Sequence, residues 1–155
     1  MSSSKRTPTA RQATGILGEQ RVTQDCVCPR CKRPKTLVRL PTNFKCADVI
    51  CDFCGYVAQV KTATTLFIES IPKTVLGAAW GPQKARMDAA IYFPLFLVLV
   101  APSMKDYSIF YLPTDLQDPG MFYPRTPLSL TARRSGWQGF VYNLGSVRDR
   151  FVRLR

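Results

Sequence analysis

Hydrophobic and polar positions fall into three patterns along the chain. Strict alternation marks Tyr56–Thr62, where Val57, Gln59 and Lys61 share one strand face and Tyr56, Ala58 and Val60 the other. A continuous apolar run, PLFLVLVA at Pro94–Ala101, has the length and character of a strand buried on both faces. Helical spacing appears at Ala13, Ile16, Leu17 and Gln20, one stripe of a short amphipathic helix. The same criteria predict strands at Leu37–Leu40, Lys45–Ile50, Tyr56–Thr62, Pro94–Ala101, Tyr107–Leu112 and Gly139–Leu144. They predict helices near Arg11–Val22 and within Thr74–Ala90, and one helical turn at Thr114–Gln117. The fold class is α/β (α+β), a mixed sheet flanked by helices, with no internal repeat.

A length of 155 residues suits one domain with a real core, expected over residues 13–155. The polar, basic opening MSSSKRTPTAR lacks the apolar segment of a secretory signal, so residues 1–12 are expected to form a flexible basic arm. The longest greasy stretch, Ala89–Ala101, is shorter than the roughly 18 residues of a membrane span and is interrupted by Pro94. No membrane partner is expected, and a cytoplasmic location follows from the missing export signal.

Charge changes the picture. Twenty-two Lys and Arg against ten Asp and Glu give a net +12, a field that favours polyanions such as nucleic acid. Such a field also suits a ribosome-associated or assembly protein. The complete absence of histidine removes every mechanism that needs an imidazole base or ligand, including Ser-His-Asp catalysis. Acid–base and metal chemistry must come from carboxylates, amides, lysines and thiolates.

Six cysteines in a reducing compartment point to metal binding before disulfides. Cys28 and Cys31 form one C-x-x-C pair and Cys51 and Cys54 a second, nineteen residues on. Two such knuckles supply the four thiolates of a structural zinc site, a zinc-ribbon element over residues 26–56. Four sulfur ligands leave no open coordination position, so this zinc folds the chain and does not catalyse. Cys26 and Cys46 are left over as small buried or half-exposed thiols or alternative ligands. Between the knuckles, Arg30 to Lys45 holds six basic residues and no acid, which suits a phosphate backbone or a solvated hairpin.

The residues flanking the second knuckle carry further chemistry. KCADVI reads as a strand bearing Asp48, which the knuckle folds into a hairpin with Tyr56–Thr62, bringing Asp48 close to Gln59 and Lys61. A carboxylate on one strand, then an acidic or amide residue, one spacer and a lysine on the next, is the pattern of the PD-(D/E)xK nucleases. In that chemistry Asp48 and the Gln59 oxygen hold Mg²⁺ against the scissile phosphate, while Lys61 orients the attacking water and offsets developing charge. Gln59 is a neutral ligand where an acid is usual, which leaves Asp48 as principal anion unless another carboxylate joins. Glu19 lies beside the helical stripe, where it can face the hairpin or remain in solvent. Lys84 and Arg86, on a short helix opened by Gly81 and Pro82, are phosphate-binding candidates.

The arrangement of two C-x-x-C pairs with catalytic strands laced through the second resembles the DpnI-like methyl-directed restriction endonucleases, from about Ala13 to about Arg148. The segment PLSLTARRSGWQGFVYNL, Pro127–Leu144, is similar to that family's A-R-R-x-G-W stretch. The resemblance implies a PD-(D/E)xK-type mixed sheet with a four-cysteine zinc knuckle in the catalytic hairpin. It also implies Mg²⁺-dependent cleavage of double-stranded DNA at methylated sites such as adenine-methylated GATC. Asp48 and Lys61 match the family's aspartate and lysine, and Gln59 stands where a glutamate is expected. Arg133 and Arg134 then become candidates for phosphates or guanine edges, and Trp137 for packing or stacking near bases. No C-terminal winged-helix domain, such as follows the catalytic domain in that family, is expected here. Recognition would then rest on one domain, a homodimer or a separate specificity subunit. The competing reading is a catalytically inactive zinc-ribbon DNA-binding protein. The tail SVRDRFVRLR is a further candidate surface for DNA or a partner.

Overall fold

The computed structural model describes residues 7–155. Helix α1 (Ala10–Asp25) opens with a capping box: Gln12 N–H donates to the Thr9 hydroxyl (3.3 Å) and Thr9 N–H donates to the Gln12 side chain (2.8 Å). Two orphan amides are satisfied reciprocally, so the helix begins before the expected boundary. Residues 10–12 belong to it and not to an arm; residues 1–6 lie outside the described residues. Then come β1 (Leu37–Arg39), β2 (Val49–Cys51), β3 (Val57–Thr64), β4 (Thr74–Ala79), α2 (Trp80–Asp88), β5 (Leu95–Val100) and β6 (Tyr107–Leu112). A 3₁₀ turn at Thr114–Leu116 and another at Pro119–Met121 lead into β7 (Phe122–Pro124), β8 (Gly139–Asn143), a third turn at Arg148–Arg150 and β9 (Val152–Arg153).

Six strands form a mixed sheet in the order β1-β2-β3-β5-β6-β9, and three form a second sheet in the order β4-β8-β7. The sole parallel pair among the described residues is β3–β5, from Gln59 opposite Leu95 to Thr64 opposite Val100; β4 and α2 make the crossover between them. All six residues of β5 are buried, because both faces of this central strand are covered. On one face Phe96, Val98 and Val100 pack with Ala58, Val60 and α1 residues Leu17 and Val22. On the other, Leu95, Leu97 and Leu99 pack with Phe122, Phe140 and Tyr142 of the second sheet. Thus α1 covers one face of the main sheet and a second sheet covers the other, where flanking helices were expected.

The helix expected within Thr74–Ala90 is Trp80–Asp88, and Thr74–Ala79 just before it is a strand of the second sheet. A side chain at Gly77 would lie 2.5 Å from the Phe140 ring, so β4 fits here by lending Phe140 the space of its missing side chain. The arginine-rich tail folds back along β6, with Phe110 opposite Arg153 and Tyr111 opposite Val152. Arg155 pairs with Asp25 at 2.9 Å and stacks over Tyr107 at 4.2 Å, so at least this part of the tail serves the fold. No helix among the described residues is long and apolar enough to cross a membrane.

Candidate active site and metal-binding knuckle

The two C-x-x-C loops have the same main-chain construction. In the first, Cys28 N–H donates to Arg33 O (3.1 Å) and Lys32 N–H to Cys28 O (2.9 Å). In the second, Cys51 N–H donates to Tyr56 O (2.7 Å) and Gly55 N–H to Cys51 O (2.9 Å). Each loop turns after its second cysteine through a left-handed residue, Lys32 at φ 62° and Gly55 at φ 77°. This curl aims both thiols of a pair at one point. The four Sγ atoms lie within 4.8 Å of one another, with Cys28–Cys54 at 3.6 Å and Cys31–Cys51 at 3.7 Å. A metal with metal–sulfur bonds of about 2.3 Å in a tetrahedron needs sulfur–sulfur edges of roughly 3.8 Å. The cluster therefore fits a metal such as zinc. Burial pushes the Cys51 thiol up, but bonds from the Thr36 hydroxyl and the Phe53 and Cys54 amides outweigh it and hold the thiol down at about 6. Such outer-shell donors favour thiolate ligands. Cys26 is buried nearby and raised to about 12 by burial and by Asp25, a neutral core thiol.

Asp48 stands just before β2 and not within a strand, although its backbone continues the ladder. Its N–H donates to Ala58 O (2.9 Å) and its C=O accepts from Leu40 N–H (2.8 Å). Beyond this point β2 leaves β3, and the Asp48 carboxylate caps the exposed edge by accepting from Val60 N–H at 2.8 Å. Glu19, from α1, and Lys61, from β3, converge here. Two cavities of about 660 and 480 Å³ share Gly15, Glu19 and Asp48 in their walls, and Lys61 lines the second. Burial raises both carboxylates: Asp48 is pulled back by the Val60 amide, Lys61 and Arg39, and Glu19 by its Arg39 bond and Lys61. Burial lowers the Lys61 amine, against the attraction of Asp48, Cys46 and Glu19. Three groups from three elements therefore share one desolvated, mutually interacting cluster.

Gln59 is buried and its amide oxygen accepts from the Tyr142 hydroxyl. Tyr142, from β8, is the partner that single-strand alternation could not reveal, since it arrives from the second sheet. Arg39, read only as part of a basic segment, makes a 2.8 Å ion pair with Glu19. Cys46 is half-buried at φ 65°, and burial raises its thiol against the pull of Arg86 and Lys61. Arg86 donates from Nη1 to Pro82 O at 3.0 Å within its own helix, while Lys84 is exposed and pairs with Asp88 at 2.7 Å.

Arg133, Arg134 and Trp137 lie on an extension of the β7–β8 hairpin. It is held by Arg125 N–H to Gly139 O (2.9 Å), Leu128 N–H to Trp137 O (2.8 Å) and Gly136 N–H to Leu128 O (3.1 Å). Gly136 takes φ 73°, and a side chain at Gly139 would meet the Trp137 ring at 2.8 Å, so both glycines are needed. Arg134 stacks over Trp137 at 4.6 Å, and both arginines are exposed. Strand β4, whose Leu76 and Gly77 line the second cavity, also pairs with Gly139 at the base of this hairpin.

The family described as DpnI: Dam-replacing family matches residues 2–151, nearly the whole chain. It is a family of restriction-type nucleases that act on methylated DNA, in keeping with the basic charge and the cysteine cluster. The chain belongs to the DpnI, Dam-replacing family.

Proposed function

We propose that this protein is a Mg²⁺-dependent endodeoxyribonuclease of PD-(D/E)xK type that hydrolyses phosphodiester bonds in methylated double-stranded DNA, with zinc in the Cys28–Cys31–Cys51–Cys54 cluster. The observation that carries the reading is the meeting of Asp48, Lys61 and Glu19 at one cleft where β2 parts from β3. Oxygen-only donors suit a hard cation, and two carboxylates raised by burial favour one. Asp48 and Glu19 would hold it, with Gln59 as a neutral third donor. The Gln59 oxygen has two lone pairs, so it can accept from Tyr142 and still present one. When bound, Mg²⁺ supplies Lewis-acid polarisation of the phosphate and a more acidic water. Lys61 Nζ, lowered by burial, holds the attacking water and can take its proton. Arg133, Arg134, Trp137 and Arg86 seat the duplex, with Lys84 as a peripheral phosphate contact. Cutting both strands calls for a homodimer or a partner subunit.

A second reading has its own observation. The Tyr142 bond ties up the Gln59 oxygen, which favours a DNA-binding protein that does not cut. Single-turnover cleavage of adenine-methylated and unmethylated duplexes separates the two, using wild type, Asp48→Asn, Lys61→Met and Gln59→Glu with zinc content checked. The nuclease reading expects Mg²⁺-dependent cutting of the methylated duplex by wild type and losses of at least about 100-fold in the first two variants. Equal cutting by all variants removes these residues from the chemistry. Salt-sensitive binding without nicking, restored to cutting by Gln59→Glu, selects the second reading.

A further inference from the structure

Arg39 has no role in the reading above, yet it sits in the same cluster. It ends β1, opposite Val49, and the next residue's N–H binds Asp48 C=O at 2.8 Å. This ladder fixes Arg39 beside Asp48 at the mouth of the cleft. Its Nε donates to Glu19 Oε2 at 2.8 Å, and Arg39 also acts on Asp48 through charge. Its two Nη nitrogens make no hydrogen bond to any described residue. They lie on a side chain about one-third exposed (33%) that lines the larger cavity with Glu19, Asp48, Gln12 and Thr42.

Charge balance gives this arrangement a direction. With Glu19 and Asp48 ionised and Arg39 and Lys61 protonated, two negative charges face two positive ones. The cluster is balanced while free of divalent cation. A divalent cation held by the two carboxylates leaves an excess of positive charge, and an incoming phosphate restores the balance. A guanidinium released from a carboxylate is matched in shape to a phosphate.

We propose that Arg39 is the resident counter-cation of the Glu19–Asp48 pair, which it yields to a divalent cation and exchanges for a DNA phosphate. The inference rests on the divalent-cation site proposed above. A guanidinium that merely oriented Glu19 as a ligand would have the opposite effect on cation affinity, so the sign of one measurement decides.

The test titrates Mn²⁺ into zinc-loaded wild type, Arg39→Gln, Arg39→Lys and Asp48→Asn without DNA, by calorimetry. It then measures binding of a methylated duplex against salt in Ca²⁺. Arg39→Gln should bind Mn²⁺ more tightly, by up to about fivefold, the ceiling for a partly exposed ion pair. Arg39→Lys should stay near wild type. In the DNA experiment Arg39→Gln should lower the slope of log K against log salt by about 1, the share of a single phosphate that no longer has its cation. Unchanged or weaker Mn²⁺ binding in Arg39→Gln, or an unchanged salt slope, overturns the proposal. Asp48→Asn tells the failures apart. If it binds Mn²⁺ as wild type does, the cation site itself is wrong and both readings fall. If it no longer binds Mn²⁺ while Arg39→Gln binds no more tightly than wild type, only the role of Arg39 falls. Thermal melting and zinc content of each variant show that the fold is intact.

Discussion

Gly18→Ala tests how α1 is held against β3. A side chain at Gly18 would lie 1.7 Å from the Thr62 hydroxyl, 2.9 Å from its Cβ and 3.1 Å from its Cγ2. Helix and strand must therefore separate by more than about 1 Å, or Thr62 must turn in a crowded interface. Overpacking of this kind costs about 1–3 kcal/mol. For a chain of this length that corresponds to a fall in Tm of roughly 3–10 °C. Glu19 is the next residue, so the same displacement moves it away from Asp48. A shift of about 1 Å in a reacting constellation can cost about 100-fold in rate. The assay is thermal melting together with single-turnover cleavage, repeated for Gly18→Ala in a Thr62→Ala background. Removing the hydroxyl and methyl of Thr62 should recover part of both losses, with a coupling of about 1 kcal/mol. A Gly18→Ala protein with wild-type Tm and wild-type rate refutes the reasoning.

Three further outcomes follow from particular groups. Asp48 is raised by burial, so its contribution to stability is present below the ordinary carboxylate range and lost as pH rises through its folded value. Lys61 is lowered, so it costs stability below its folded value and recovers as pH rises toward the ordinary lysine range. Between those two folded values both penalties apply, and Asp48→Asn/Lys61→Met should melt higher than wild type by about 2–4 °C; the gap should narrow in acid, where only Lys61 still costs, and in base, where only Asp48 does, while cleavage is lost. Replacing Cys51 by Ser should release the metal and unfold the β1–β3 region, because structural zinc contributes about 10–16 kcal/mol, as much as a domain's whole stability. Zinc analysis and circular dichroism read this directly. Arg133→Ala/Arg134→Ala should lower the salt slope of DNA binding by about 1 for each phosphate the pair neutralises while leaving Tm unchanged, since both residues are exposed.

The cysteine cluster and the core strands were legible in the sequence because their signals are local. Spacing within each C-x-x-C determines a knuckle, and the uninterrupted apolar run of β5 declares a strand covered on both faces. Alternation in β3 separates Gln59 and Lys61 from Ala58 and Val60, which face α1. What remained hidden depends on distant partners. Strand β4 contains small residues that also suit a helix, and only the Phe140 ring against Gly77 decides for a strand. The Tyr142 bond to Gln59 joins residues 83 apart in sequence. Arg39 reads as one charge among six until α1 brings Glu19 to it. The tail arginines carry the same charge as a DNA-binding segment, yet Asp25 and Tyr107 engage Arg155 within the fold.

The central claim is that one cation site made of sulfur shapes the strands, and a second made of oxygen lies where they part. Anomalous diffraction from crystals grown with zinc, soaked in Mn²⁺ and recorded at both absorption edges, tests it most directly. Zinc should give a peak among Cys28, Cys31, Cys51 and Cys54, and manganese a peak in contact with the carboxylates of Asp48 and Glu19. Manganese bound elsewhere, with the Asp48 carboxylate still held only by Val60, would contradict it.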